Sequence, residues 1–133
     1  MVLFDSKYLK IEFKNVPCRH LVANWTGSPG EDVYKHGYTT ILQCCHENDI
    51  RKLLSDIRLE ERLSETAEAF AEHQLANYTA RHGRFFHAVV LSSEVFLKLR
   101  VVNFDRSLGR KNHVQQFFAN QQDAIEWLQE ADV

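Results

Sequence analysis

Leu9, Ile11 and Phe13 alternate with Lys10, Glu12 and Lys14, the period of a strand with one buried face. Alternation resumes over Arg19 to Trp25, with Leu21, Ala23 and Trp25 on one side. The short Asn15 to Cys18 connection, which contains Pro17, implies an antiparallel hairpin, because parallel strands need a long crossover. Ser28, Pro29 and Glu31 then read as a helix start with a capping box. Tyr34, Tyr38, Ile41 and Cys45 fall on one helical face, and Asn48-Asp49 ends it. Ile50 to Ile57 reads as a third strand, its adjacent Leu53 and Leu54 indicating cover on both faces. Arg58 to Leu63 reads as a charged connection. Ser64 caps a second helix to His82, with an apolar stripe of Ala67, Phe70, Ala71 and Tyr78, and Gly83 supplies the left-handed stop.

Arg84 to Leu91 is the most strand-like run. Ser92 or Ser93 caps the next segment, and Leu97, Val101, Phe104 and Leu108 give Glu94 to Leu108 a helical face. Leu97, Leu99 and Val101 also fit a strand, but the length exceeds that of a typical strand and favours a helix. His113 to Ala119 is a last strand, and Asn120 caps a helix to Ala131 that turns Ala124, Trp127 and Leu128 inward. The order ββαβαβαβα predicts an α/β domain: a mixed, mostly parallel five-stranded sheet flanked by four helices.

The 133 residues suit one domain spanning 1–133, and 44% hydrophobic with 26% charged residues is ordinary globular composition. A net charge of −2 lacks the basic excess that nucleic-acid binding uses. The clusters at Lys98 with Arg100 and at Arg106, Arg110 and Lys111 read as solvated surface. Met1 to Phe4 is apolar, but Asp5 interrupts it too early for a secretory signal. No apolar run approaches a bilayer span. Three cysteines, two of them adjacent at Cys44 and Cys45, do not form a disulfide framework, so the expected compartment is the cytoplasm.

The hairpin closed by Trp25-Thr26-Gly27, the strand Lys52-Leu53-Leu54-Ser55-Asp56-Ile57-Arg58 and the closing Phe117-Phe118-Ala119-Asn120 with Asp123-Ala124-Ile125-Glu126-Trp127-Leu128 carry a resemblance over nearly the whole chain. The pattern resembles the STAS fold of sulfate transporters and anti-sigma-factor antagonists, and in particular a group of small bacterial STAS-like proteins of unassigned function. The resemblance implies regulation through a protein partner. It also implies a phosphorylated serine, in an Asp-Ser-Ser-Gly-like loop after the third strand. Here Asp56 leads into Ile57-Arg58-Leu59-Glu60-Glu61-Arg62-Leu63-Ser64 with no Ser-Gly pair, so only Ser64 or Thr66 could take that place, and a cap is the plainer role for Ser64.

Cys44-Cys45-His46 has the residue types of a thiol nucleophile and base. Helix neighbours point apart, however, and a helix C-terminus disfavours a thiolate. The seven histidines show no paired spacing such as Cys-x2-Cys or His-x3-His, so no metal and no cofactor is expected. Asp56 is the best acid–base candidate, because ligand clefts open beyond the carboxyl ends of parallel strands, but Arg58 is placed to pair with it. A phosphate-binding Gly-rich loop, a nucleophile elbow and a dinucleotide fingerprint are all absent.

The expectation is a non-enzymatic regulatory or protein-interaction domain, with a binding domain for a small molecule (a nucleotide or an apolar ligand) as alternative and a small enzyme third. The working face is expected at Asp56, Arg58, Glu61, Arg62, Ser64 and Thr66. The expected partner is a protein, with a homodimer as one form of it, and neither nucleic acid nor membrane.

Overall fold

A computed structural model describes residues 1–60, 65–96 and 113–131. The strands are β1 (Val2–Asp5), β2 (Leu9–Lys14), β3 (His20–Gly27), β4 (Lys52–Glu60), β5 (Phe85–Val90) and β6 (His113–Phe118). The helices are α1 (Glu31–Glu47), α2 (Glu65–His82), α3, described over 93–96, and α4 (Gln121–Glu130). The strands form one sheet in the order β1-β2-β3-β4-β5-β6. β1–β2 and β2–β3 pair antiparallel, and β3–β4, β4–β5 and β5–β6 pair parallel. The mixed, mostly parallel α/β architecture is therefore present, with six strands rather than five.

The added strand is β1. Its burial runs exposed, half-buried, half-buried, exposed, so it lacks the alternation that marks β2. A bulge between Val2 and Phe4 breaks its register with β2. Its pairing with β2, rather than any period of its own, makes it a strand.

Alternate residues of the central strands feed two cores. Leu21, Ala23 and Trp25 of β3, Leu53 of β4 and Phe85 of β5 meet Tyr34, Tyr38, Ile41 and Cys45 of α1 and Ala71 and Leu75 of α2. Val22, Leu54, Phe86, Ala88 and Val90 meet Ala124 and Leu128 of α4 on the opposite face. The adjacent Leu53 and Leu54 thus point to different cores, as a strand covered on both sides requires. Trp127 is half-buried rather than enclosed, edge-on to Phe86 with ring centroids 5.9 Å apart.

The helix ends show which local signals operate. Asn120 accepts a hydrogen bond from the Asp123 amide at 2.8 Å and donates its own side-chain N–H to Asp123 Oδ2 at 3.1 Å, a reciprocal cap. Ser92 Oγ accepts from the Val95 amide at 3.4 Å at the start of α3. Gly83 has φ +86° and donates to the Thr79 carbonyl. The capping box expected at Ser28 and Glu31 does not form: Gly30 is the N-cap, without a side-chain hydrogen bond. Glu31 and Asp32 lie instead in the first turn, where their charge complements the helix dipole. β4 begins two residues later than Ile50 and runs to Glu60, through part of the segment read as a connection, because β3 keeps pairing with it as far as Gly27 opposite Glu60. The expected helix over Glu94 to Leu108 is described only at its start.

Gly37 brings α1 close to the sheet: a Cβ there would lie 2.6 Å from Trp25 Cη2 and 3.0 Å from Leu9 Cδ2. Alanine would add about 0.8–1 kcal/mol of helix propensity, against an overpacking cost of roughly 1–3 kcal/mol. Gly37→Ala is expected to destabilise the fold by about 1 kcal/mol in urea unfolding. A more stable variant would show that the contact is not close-packed.

Candidate functional site

β1 to β4 carry a polar row across the α4 face of the sheet. Asp5 pairs with Lys10, Lys10 with Asn24 and Asn24 with Asp56, so four polar side chains line up on neighbouring strands. This row, with Glu12, Thr26, Arg58, Leu59 and Gln121, lines a groove of about 410 Å³ at the start of α4.

Asp56 forms the inner end of the row and is only 6% exposed. Arg58 donates from Nε to Oδ1 at 3.0 Å and from Nη2 to Oδ2 at 2.7 Å, a bidentate pair, and its amide donates to Oδ1 at 3.1 Å. Gln121 donates from Nε2 to Oδ2 at 2.6 Å, tying the first turn of α4 to β4. Burial alone would raise the Asp56 carboxyl, but the hydrogen bonds from Arg58 and Gln121 outweigh it and hold the group below its ordinary value. A carboxylate so engaged is an anchor for Arg58 and α4, and a weak proton acceptor.

Of the residues expected at the working face, Asp56 and Arg58 are therefore joined directly, and Thr66 lies in the first turn of α2. Glu61, Arg62 and Ser64 lie outside the described residues. Gln121, Asn24, Lys10 and Asp5 were not expected in the site. They are scattered along the chain, and only strand register and helix packing bring them together.

Cys45 is fully buried between α1 and the sheet, and burial pushes its thiol well above the ordinary cysteine range. Burial, followed by Glu47, also raises Cys44. Neither environment produces the thiolate that a nucleophile needs. Among the described residues no group of three or more His, Cys, Asp or Glu side chains is placed to hold a metal ion.

A second polar cluster is enclosed on the α1–α2 face. Ser55 Oγ and His87 Nε2 are 2.8 Å apart, and the His87 and His113 rings stack with centroids 5.8 Å apart. Burial, then the neighbouring His113, pushes His87 down to about 3, so the imidazole is neutral across the physiological range. The pair has the residue types of a nucleophile and base, but Ser55 and His87 are 4% and 5% exposed within the sheet. It reads as an interior hydrogen bond between Ser55 Oγ and His87 Nε2 in doubly covered strands, while His87 Nδ1 has no hydrogen-bond partner among the described residues.

No protein-family profile matches the chain, and no curated protein matches its sequence. Solved structures do. An uncharacterised protein of the DUF3478 family with a SpoIIAA-like fold, from Shewanella loihica PV-4, superposes with a TM-score of 0.60 at 23% identity over 94% of this chain and 98% of that one. The anti-sigma factor antagonist SpoIIAA in its unphosphorylated form superposes with a TM-score of 0.58 at 12% identity over 91% of this chain and 99% of that one. The fold is SpoIIAA-like, of the STAS type.

The folded His87 refuses a proton that the unfolded chain accepts below about 6.5. Stability linked to His87 is therefore full above that value and declines as pH falls toward about 3. His87→Gln is expected to flatten the acid limb of a stability-versus-pH curve by on the order of 1 kcal/mol per pH unit, measured by denaturant unfolding from pH 7 to 4. The same slope in both proteins would contradict the assignment. His20, also depressed chiefly by burial, leaves a residual slope.

Proposed function

We propose that this chain is a non-enzymatic protein-interaction domain that works through the end of the sheet where β3, β4 and β5 finish and α1 and α3 begin. The observation that carries the reading is Leu59, 73% exposed on the last part of β4. The β4–β5 ladder ends at Asp56 opposite Val90, whereas β3 pairs on to Glu60, so among the described residues Ile57–Glu60 has a strand neighbour on one side only. Val33 at the start of α1 and Val95 at the start of α3 are exposed at the same end. An apolar surface beside an open strand edge favours another polypeptide as the occupant. Arg58, fixed by Asp56, gives that surface an oriented cation whose side chain is 42% exposed.

By sequence adjacency to β4 the proposal also takes in Glu61, Arg62, Ser64 and Thr66. The likeness to an anti-sigma factor antagonist supports a regulatory role with a protein partner, and a homodimer is one form that partner takes in the reading. Among the described residues no helix is long and apolar enough to cross a membrane. Leu59→Asp is expected to remove partners co-purified from the native host while leaving the circular dichroism spectrum unchanged. Val16→Asp, in the hairpin at the opposite end, is the control. Retention of every partner by Leu59→Asp, or equal loss in both variants, would count against this face.

The groove supports a second reading as a small-molecule site, because its volume of about 410 Å³ and its polar row suit a polar ligand. A nucleotide, amino-acid or anion that binds there is expected to raise the thermal midpoint of the protein and to lose that effect in Asn24→Leu. A thermal-shift screen of those compounds with no stabilisation would remove this reading.

A further inference from the structure

His46 lies in the last turn of α1 and His82 in the last turn of α2. They are far apart in sequence, and α1–α2 packing brings their rings to a centroid separation of 4.9 Å with planes 50° apart. The His82 ring also packs on Tyr78 at 4.3 Å, and Tyr78 in turn stands edge-on to Phe85 at 5.6 Å. His82 is therefore held by a chain of ring contacts from the core, while His46 stands in solvent.

We propose that His46 and His82 form a two-imidazole site for a divalent transition-metal ion of the zinc, nickel or copper class. The separation fits. Two imidazoles sharing one ion at about 2.0–2.1 Å, with ligand angles between a right angle and the tetrahedral value, hold their centroids roughly 4.5–5.2 Å apart. Imidazole nitrogen is a ligand type suited to these metals. The location adds to the chemistry, because the carbonyl ends of two helices carry partial negative charge that favours a cation between them. The charged groups nearby oppose one another: Asp49 and Arg51 both act on the neighbouring Tyr78 phenol with opposite signs. With two protein ligands the ion keeps open positions for water or for a donor from another molecule.

Titration of the intact protein with copper(II), followed by electron paramagnetic resonance, gives a direct readout of the ligands. One equivalent is expected to show two coupled imidazole nitrogens, falling to one in His46→Gln and in His82→Ala. Zinc affinity measured by calorimetry is expected to fall at least about tenfold in each variant, the lower bound for losing even an outer-sphere partner. His73→Gln, at a surface histidine that already contacts Asn77, is expected to keep both signals. His46→Gln alters an exposed position, so it keeps the test intact if His82→Ala does not fold. No bound nitrogen in the wild-type protein, or unchanged zinc affinity in His46→Gln, overturns the proposal. Either would leave the 4.9 Å approach as a ring contact between helices.

Discussion

β4 and β5 are buried from both sides, and the rest of the molecule depends on that constraint. Leu53 and Leu54 feed opposite cores, and every residue of β5 is buried. Fully burying a leucine side chain contributes roughly 1.5–3 kcal/mol, so these strands concentrate much of the hydrophobic stabilisation. The same enclosure makes any polar group placed in them costly unless it finds a partner. Ser55, Asp56 and His87 are such groups. Ser55 meets His87 Nε2, leaving His87 Nδ1 without a hydrogen bond among the described residues, and Asp56 meets Arg58 and Gln121. The side chains that suggest chemistry in isolation are thereby engaged in holding the sheet and α4 together.

The surfaces that escape this enclosure lie at the end of the sheet. Among the described residues β4 outruns β5, its pairing on that side ending at Asp56, and Leu59 turns outward beyond it. The polar row from Asp5 to Asp56 emerges beside it, on the part of the sheet where β1 to β3 extend past the α4 core. A buried carboxylate therefore links two surfaces: it fixes Arg58 toward the strand end and anchors the helix that borders the groove. The superposition with SpoIIAA at 12% identity shows how much of this is fold rather than sequence.

Much of the fold was legible because its signals are local. The alternation in β2, the four- and three-residue steps of Tyr34, Tyr38, Ile41 and Cys45, the Asn120 cap and the Gly83 stop each act within a few residues. β1 was not legible, since four residues without alternation become a strand only against β2. The far end of β4 reads as a connection in the sequence because charged residues there resemble a loop, and only β3 reveals them as paired strand. The α1 cap failed for a related reason: Ser28 and Glu31 have the right spacing, but the helix starts after Gly30. In the site, Asp56 and Arg58 were visible as near neighbours. Asn24, Lys10 and Gln121 became visible only through register and helix packing, which a linear pattern does not encode.

A protein interface at the exposed end of β4 is open to direct test. Placing a photo-crosslinking amino acid at Leu59 in the native host, with a second protein carrying it at Val16, tests this most directly. A discrete protein adduct is expected from position 59 on irradiation and none from position 16. Adducts from position 16 alone, or from neither position, would contradict it.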